Sequence, residues 1–179
     1  MKYLKIILLF LILNNSIMAQ NFSINDSGSK ISFVIKNIGL NVNGSFSGLQ
    51  GTIIFDSKNL KSSEINVSVN SNSVNTDNNA RDKHLRKEEY FDVEKFPLIN
   101  FKSTKIEPAT RLNRYNVEGN LTIKGISKII KFELITIEKD KNLDLKCNFE
   151  INRRNFKVGG NSLVLSDNVK MNLNIIANK

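Results

Sequence analysis

The chain carries one histidine, His84, and one cysteine, Cys147. Nucleophilic or acid–base catalysis needs such groups within reach of one another, with a third group orienting the base. His84 lies in Arg81-Asp82-Lys83-His84-Leu85-Arg86, two residues from Asp82. Residues two apart on a helix do not face each other, so Asp82 does not orient the imidazole. Cys147 has no basic cluster beside it in sequence to lower its pKa, and a small buried or half-buried residue is expected there. Glu88-Glu89, followed by Asp92 and Glu94, offers paired carboxylates, but the run reads as solvated surface. One His and one Cys leave a closed zinc site two ligands short. Asp26, Asp56, Asp77, Asp82 and Asp92 do not follow a calcium-loop spacing. Lys124-Gly125 and Gly159-Gly160 read as turns, not phosphate loops. The expectation is a protein with no catalytic residue, no metal site and no cofactor.

What the chain does offer is apolar side chains at period two, the pattern of half-buried strands. Ile31, Phe33 and Ile35 share one face, and Ile53 and Phe55 follow in Thr52 to Phe55. Ile65, Val67 and Val69 alternate through Glu64 to Asn70, and Ile99 and Phe101 flank Asn100. Tyr115 to Ile123 carries Leu121 and Ile123; Ile129 to Ile137 carries Ile130, Phe132 and Leu134 on one face. Leu143 to Ile151 and Val169 to Ile175 repeat the pattern. About eight strands joined by short turns predict an all-β antiparallel sandwich or barrel. A barrel of that size can hold one small ligand, and closure hides the sheet edges of a chain rich in Val, Ile and Phe. The Phe residues either fill a solid core or line a cavity; patterning alone leaves both open.

One segment, Thr76 to Tyr90, breaks the alternation. Thr76 or Asp77 can cap a helix, and Ala80, His84 and Leu85 make a narrow apolar stripe. A short helix over the barrel or across its mouth is expected.

The N-terminus has the order of an export signal: basic Lys2 and Lys5, the uncharged run Ile6 to Leu13, then small residues up to Ala19. Eight apolar residues fall short of the ~20 of a spanning helix. Cleavage after Ala19 gives a 160-residue mature domain, Gln20 to Lys179, and takes the net charge from +9 to +7. That length suits one domain with its own core, and a lone cysteine leaves no internal disulfide to support it. The lysines are spread out with no long basic block, so nucleic acid is not an expected partner. The protein is expected in the periplasm or secreted.

The segment from Thr76 to Glu107 resembles the central signature of the YceI-like family of bacterial polyisoprenoid-binding proteins. The resemblance rests on Arg81-Asp82, His84-Leu85, Tyr90-Phe91-Asp92, Pro97, Phe101 and Ser103. Upstream, Phe33, Gly39, Gly44, Phe46, Gly51 and Phe55-Asp56 fall in register, and downstream so do Gly119 and Leu121 to Gly125; Arg153 and Phe156 fit a weaker motif. Two departures stand out: Asn37 where the family often has His, and Asn155-Phe156-Lys157 where it often has Asp-Phe-Gly. The resemblance implies a lipocalin-like closed antiparallel β-barrel, often a homodimer, holding a polyisoprenoid, an isoprenoid quinone, or a fatty acid or amide. The lining would comprise Ile31, Phe33, Ile35, Phe46, Ile53 and Phe55 from the first half of the barrel. Ile65, Val67, Val69, Phe101, Leu121, Ile123, Ile130 and Phe132 would complete it, with Arg81, Asp82 and His84 at the mouth.

Two rivals accompany this non-catalytic carrier. One is an envelope interaction module with a filled core, binding through an Arg81–Tyr90 helix. The other is an enzyme acting on a bound lipid through His84.

Overall fold

The computed structural model describes residues 20–179; the export-signal expectation for residues 1–19 lies outside them. Alternating side chains produce nine strands: β1 (Gln20–Asn37), β2 (Leu40–Phe46), β3 (Gln50–Phe55), β4 (Glu64–Asn70), β5 (Leu98–Pro108), β6 (Arg114–Ile123), β7 (Ile126–Lys139), β8 (Asn142–Asn152) and β9 (Leu165–Asn178). All pairings are antiparallel, and β1 closes the barrel against β9. The nine strands occupy eight barrel positions. β2 and β3 lie end to end along one edge of β1, β2 pairing with Ile31–Asn37 and β3 with Gln20–Ser23. Asp26 latches the break between them: its carboxylate accepts from the Gly48 and Leu49 amides at 3.2 and 2.7 Å.

The alternation picks out eight segments and passes over β2, where Gly44 replaces an apolar residue. It also starts β1 too late. Asn25 to Lys30 is polar and bulged, with Asn25 Oδ1 accepting from Ser27 Oγ and the Gly28 amide, and the long-range ladder to β9 resumes on either side of it.

Segments 56–63, 109–113 and 140–141 connect strands at one end of the barrel. That end is a solid plug in which Phe22, Phe55, Val117, Leu143 and Ala177 are buried completely or nearly so. The opposite end carries residues 38–39, 71–97, 124–125 and 153–164. Here lies the one α-helix among the described residues, α1 (Asn79–Leu85). Its cap is Asn78, whose side chain accepts from the Arg81 amide, and not Thr76 or Asp77. Asp77 takes a left-handed φ of +57°, whereas an N-cap residue is extended. Thr76 is instead buried on Asp82. The helix also stops short of Tyr90, because the Phe91 and Val93 amides fold back onto the Leu85 and Arg86 carbonyls.

Candidate functional site: an apolar cavity at the open end

Above the plug the barrel is hollow. A cavity of about 430 Å³ runs toward the end that carries α1, within the ~300–1,000 Å³ range of ligand pockets. Its walls follow from period two. On β9 the lining residues are Leu165, Val169, Met171, Leu173 and Ile175; those ten steps span about 33 Å of strand, so the cavity is long. Two aromatic series stand in its walls. Phe101, Phe132 and Phe149 contact in sequence at 5.5 and 5.0 Å between ring centroids. Phe33, Phe46 and Phe91 do so at 5.6 and 5.4 Å.

Of the residues expected in the lining, Ile31, Phe33, Ile35, Phe46, Ile53, Ile65 and Val67 border the cavity. So do Val69, Phe101, Leu121, Ile123, Ile130 and Phe132. Phe55 does not. It lies in the plug with its ring edge against Tyr115, centroids 5.1 Å apart. The alternation also marks Leu145, Cys147, Phe149 and Ile151 on β8 and the β9 series, all of which line the cavity without having been singled out as site residues. Tyr90, Phe91 and Val158 carry no such signal, since they reach the cavity from irregular segments.

The polar groups gather at the mouth. Arg81 and His84 border the cavity with Thr76, Asn37 and Ser162. Asp82 does not border it: buried behind the helix, its Oδ1 accepts from the Thr76 amide and hydroxyl. Thr76 in turn fixes Arg81, whose Nε and Nη2 donate to its Oγ1 and carbonyl, both at 2.7 Å. The Arg81-Asp82 pair is thus one positioning device with Asp82 as its buried anchor. His84 is half exposed, its ring 4.9 Å from that of Tyr90 and its Nε2 3.8 Å from Glu89 Oε2.

Arg153 organises the other side of the mouth. Buried itself, it donates to the carbonyls of Val158, Gly160 and Ser166 and to Asp167 Oδ1, at 2.9–3.0 Å. That draws the 157–166 loop over the barrel end. Lys157, at the departure from the usual glycine, adopts φ +54° in the left-handed region, strained for a residue with a side chain. The turn forms nonetheless, and the Lys157 carbonyl accepts from Lys124 Nζ at 3.2 Å.

Burial pushes the Cys147 thiol up to about 12, so it stays protonated and unreactive near neutral pH. Among the described residues, no three of His, Cys, Asp and Glu cluster as metal ligands, and no helix is long and apolar enough to cross a membrane.

A closed antiparallel barrel, solid at one end and hollow at the other, defines a lipocalin-like barrel with an internal apolar site. The chain belongs to the YceI-like family: the sequence model of the YceI-like domain matches residues 22–177. A UPF0312 protein of Yersinia enterocolitica is 39% identical over 121 residues, 66% of this chain and 62% of the relative. A UPF0312 protein of Pectobacterium atrosepticum is 40% identical over 104 residues, 58% of this chain and 53% of the relative. The chain therefore spans somewhat over half the length of these curated relatives. Among solved structures, Burkholderia cenocepacia BcnA superposes with a TM-score of 0.80 at 23% identity, covering 86% of this chain and 98% of that one. The Campylobacter jejuni YCEI protein gives 0.71 at 29%, covering 78% and 86%. A polyisoprenoid binding domain from Saccharophagus degradans gives 0.72 at 16%, covering 90% and 98%.

Proposed function

We propose that this protein holds one long apolar molecule inside the barrel and stores or transports it without catalysing a reaction. The observation that carries this reading is the long apolar cavity above a solid plug, with polar groups only sparsely placed and gathered toward the mouth. The ligand classes are a polyisoprenoid, an isoprenoid quinone, or a fatty acid or amide. The Saccharophagus degradans domain, described as polyisoprenoid binding, shares the fold and motivates the first of these.

Burial of each methylene is worth about 0.8 kcal/mol. A chain of ~40 carbons would nominally gain ~30 kcal/mol, beyond the ceiling of roughly 20 kcal/mol for non-covalent affinity. Ordering a flexible chain offsets much of that gain. Such a site selects by length and shape, and chemical selectivity rests with the groups near Thr76, Arg81 and His84.

A filled interaction module fits poorly, because the interior above the plug is hollow. For catalysis through His84, no buried carboxylate partner among the described residues holds the imidazole: it is half exposed, and Glu89, 3.8 Å away, is itself exposed. The N-terminal pattern supports export to the periplasm or beyond, so that the cavity would shield its ligand from an aqueous compartment.

Native mass spectrometry of gently purified protein tests the binding reading. A mass increment matching one isoprenoid or acyl lipid is expected, and a His84→Ala variant should retain it. Absence of any co-purified or added lipid would overturn the proposal. Intact mass also reads the N-terminus, with Gln20 expected first.

A further inference from the structure

Six large apolar side chains are strongly exposed among the described residues, and four of them stand at the open tip. Ile38 and Leu40 flank the β1–β2 turn; Leu163 and Val164 precede β9. The two loops are joined, the Ile38 amide donating to the Val164 carbonyl at 2.8 Å. This tip is continuous with the cavity, since Val164 and its neighbours Ser162 and Leu165 line both, as do Asn37 and Val42 across the joint. Exposed apolar residues are common singly; a cluster at the rim of an apolar cavity marks a contact surface.

Ile38 sharpens the point. It occupies φ +53°, where a β-branched residue is strained and Asn, Asp or Gly is favoured. Folding alone gives no reason to hold an exposed isoleucine there.

Charge identifies what covers the tip. Segments 36–41 and 157–166 contain Lys36 and Lys157 and no carboxylate, while the adjoining segment 71–97, tied to the tip by the Gly159 amide on the Glu89 carbonyl, carries six acids against five bases. The next acid, Asp167, is engaged by Arg153 and Arg154 at 2.9 and 3.7 Å. Among the described residues neither Lys36 nor Lys157 is in an ion pair, and apolar residues beside such lysines match an anionic bilayer surface. A second copy docked tip to tip would instead bring like charges together. We infer that the open tip, Ile38, Leu40, Leu163 and Val164 framed by Lys36 and Lys157, docks onto an anionic lipid bilayer. The cavity then opens against hydrocarbon, and an apolar ligand passes between bilayer and barrel without crossing water. Docking goes beyond the proposed ligand binding and is measured with no ligand added, so the two readings fail separately.

Leu112, equally exposed but at the plugged end, is the internal control. The full chain is prepared as Leu163→Cys or Leu112→Cys and labelled with an environment-sensitive dye; buried Cys147 does not compete. Vesicles of phosphatidylcholine, alone or mixed with phosphatidylglycerol, are then added. The dye at 163 should shift to the blue and the dye at 112 should not. Phosphatidylglycerol should strengthen binding about fivefold for each lysine engaged, an effect that salt removes. In the labelled Leu163→Cys chain, adding Leu40→Ser and Lys36→Glu should weaken vesicle binding about tenfold or more. No shift at 163, an equal shift at both positions, or a shift at 163 that appears without vesicles as the protein self-associates would each overturn the inference.

Discussion

Phe33 stands directly across the β1–β2 pair from Gly44, and its ring fills the space that a Gly44 side chain would need. A Cβ on Gly44 would lie 2.2 Å from Phe33 Cζ. A related packing occurs on the β5–β6 pair: Gly119 lies across from Ser103, and the ring of Phe101, two residues along β5, leans over it, so that a Cβ on Gly119 would lie 2.5 Å from Phe101 Cζ. Two glycines thus leave room for two of the rings that line the cavity.

Gly44→Ala should therefore push the Phe33 ring toward the cavity. The expected result is a loss of about 1–3 kcal/mol in stability, read by urea unfolding, together with a fall in lipid occupancy. Unchanged occupancy with a lower midpoint would mean that the ring moved elsewhere.

Filling the cavity without adding charge separates binding from folding. Val67→Phe and Leu173→Phe each add ring atoms at cavity-lining positions. Stability should stay within about 1.5 kcal/mol of the parent, while the bound-lipid peak in native mass spectrometry shrinks. A charged residue at the same place would confuse the two, since a buried unpaired charge threatens the fold itself.

Asp82 anchors the mouth through Thr76. Asp82→Ala leaves a buried amide and hydroxyl without their acceptor and should cost about 1–3 kcal/mol. Asp82→Asn keeps an acceptor oxygen and should cost less. Circular dichroism melts of the two variants give the comparison; equal losses would show that charge rather than hydrogen bonding matters.

Arg153 holds the 157–166 loop by main-chain carbonyls that no shorter side chain reaches together. Arg153→Ala should cost about 2–5 kcal/mol and raise amide exchange in that loop before it does so elsewhere. Uniform exchange across the barrel would contradict a local role.

Cys147 gives the protein an alkaline limb. Its thiol ionises near 9.0 in the unfolded chain and near 12 when folded. Below pH 9 both states are protonated and the contribution is fully present. Between pH 9 and 12 only the unfolded chain releases its proton, so stability falls as pH rises, by at most about 1.4 kcal/mol per pH unit. Urea midpoints from pH 8 to 11 should fall less steeply for Cys147→Ala, and parallel curves would refute the assignment.

The amino-acid sequence alone determined the inward and outward faces of the strands, because period two depends only on the local pleat. It also determined that the chain has a single imidazole, His84, and a single thiol, Cys147, with nothing in sequence to pair them. Height along the barrel was decided by tertiary structure. Phe33 and Phe55 both point inward, yet Phe33 borders the cavity while Phe55 meets Tyr115 in the plug. That difference comes from strand register and from partners far away in sequence, which no local pattern encodes. Asp82 shows the same limit at the mouth, since its neighbours in sequence suggest a rim carboxylate and only the folded turn buries it on Thr76. The tip followed the same rule: Ile38 and Leu163 are 125 positions apart in the chain, and only closure of β1 against β9 makes them one surface.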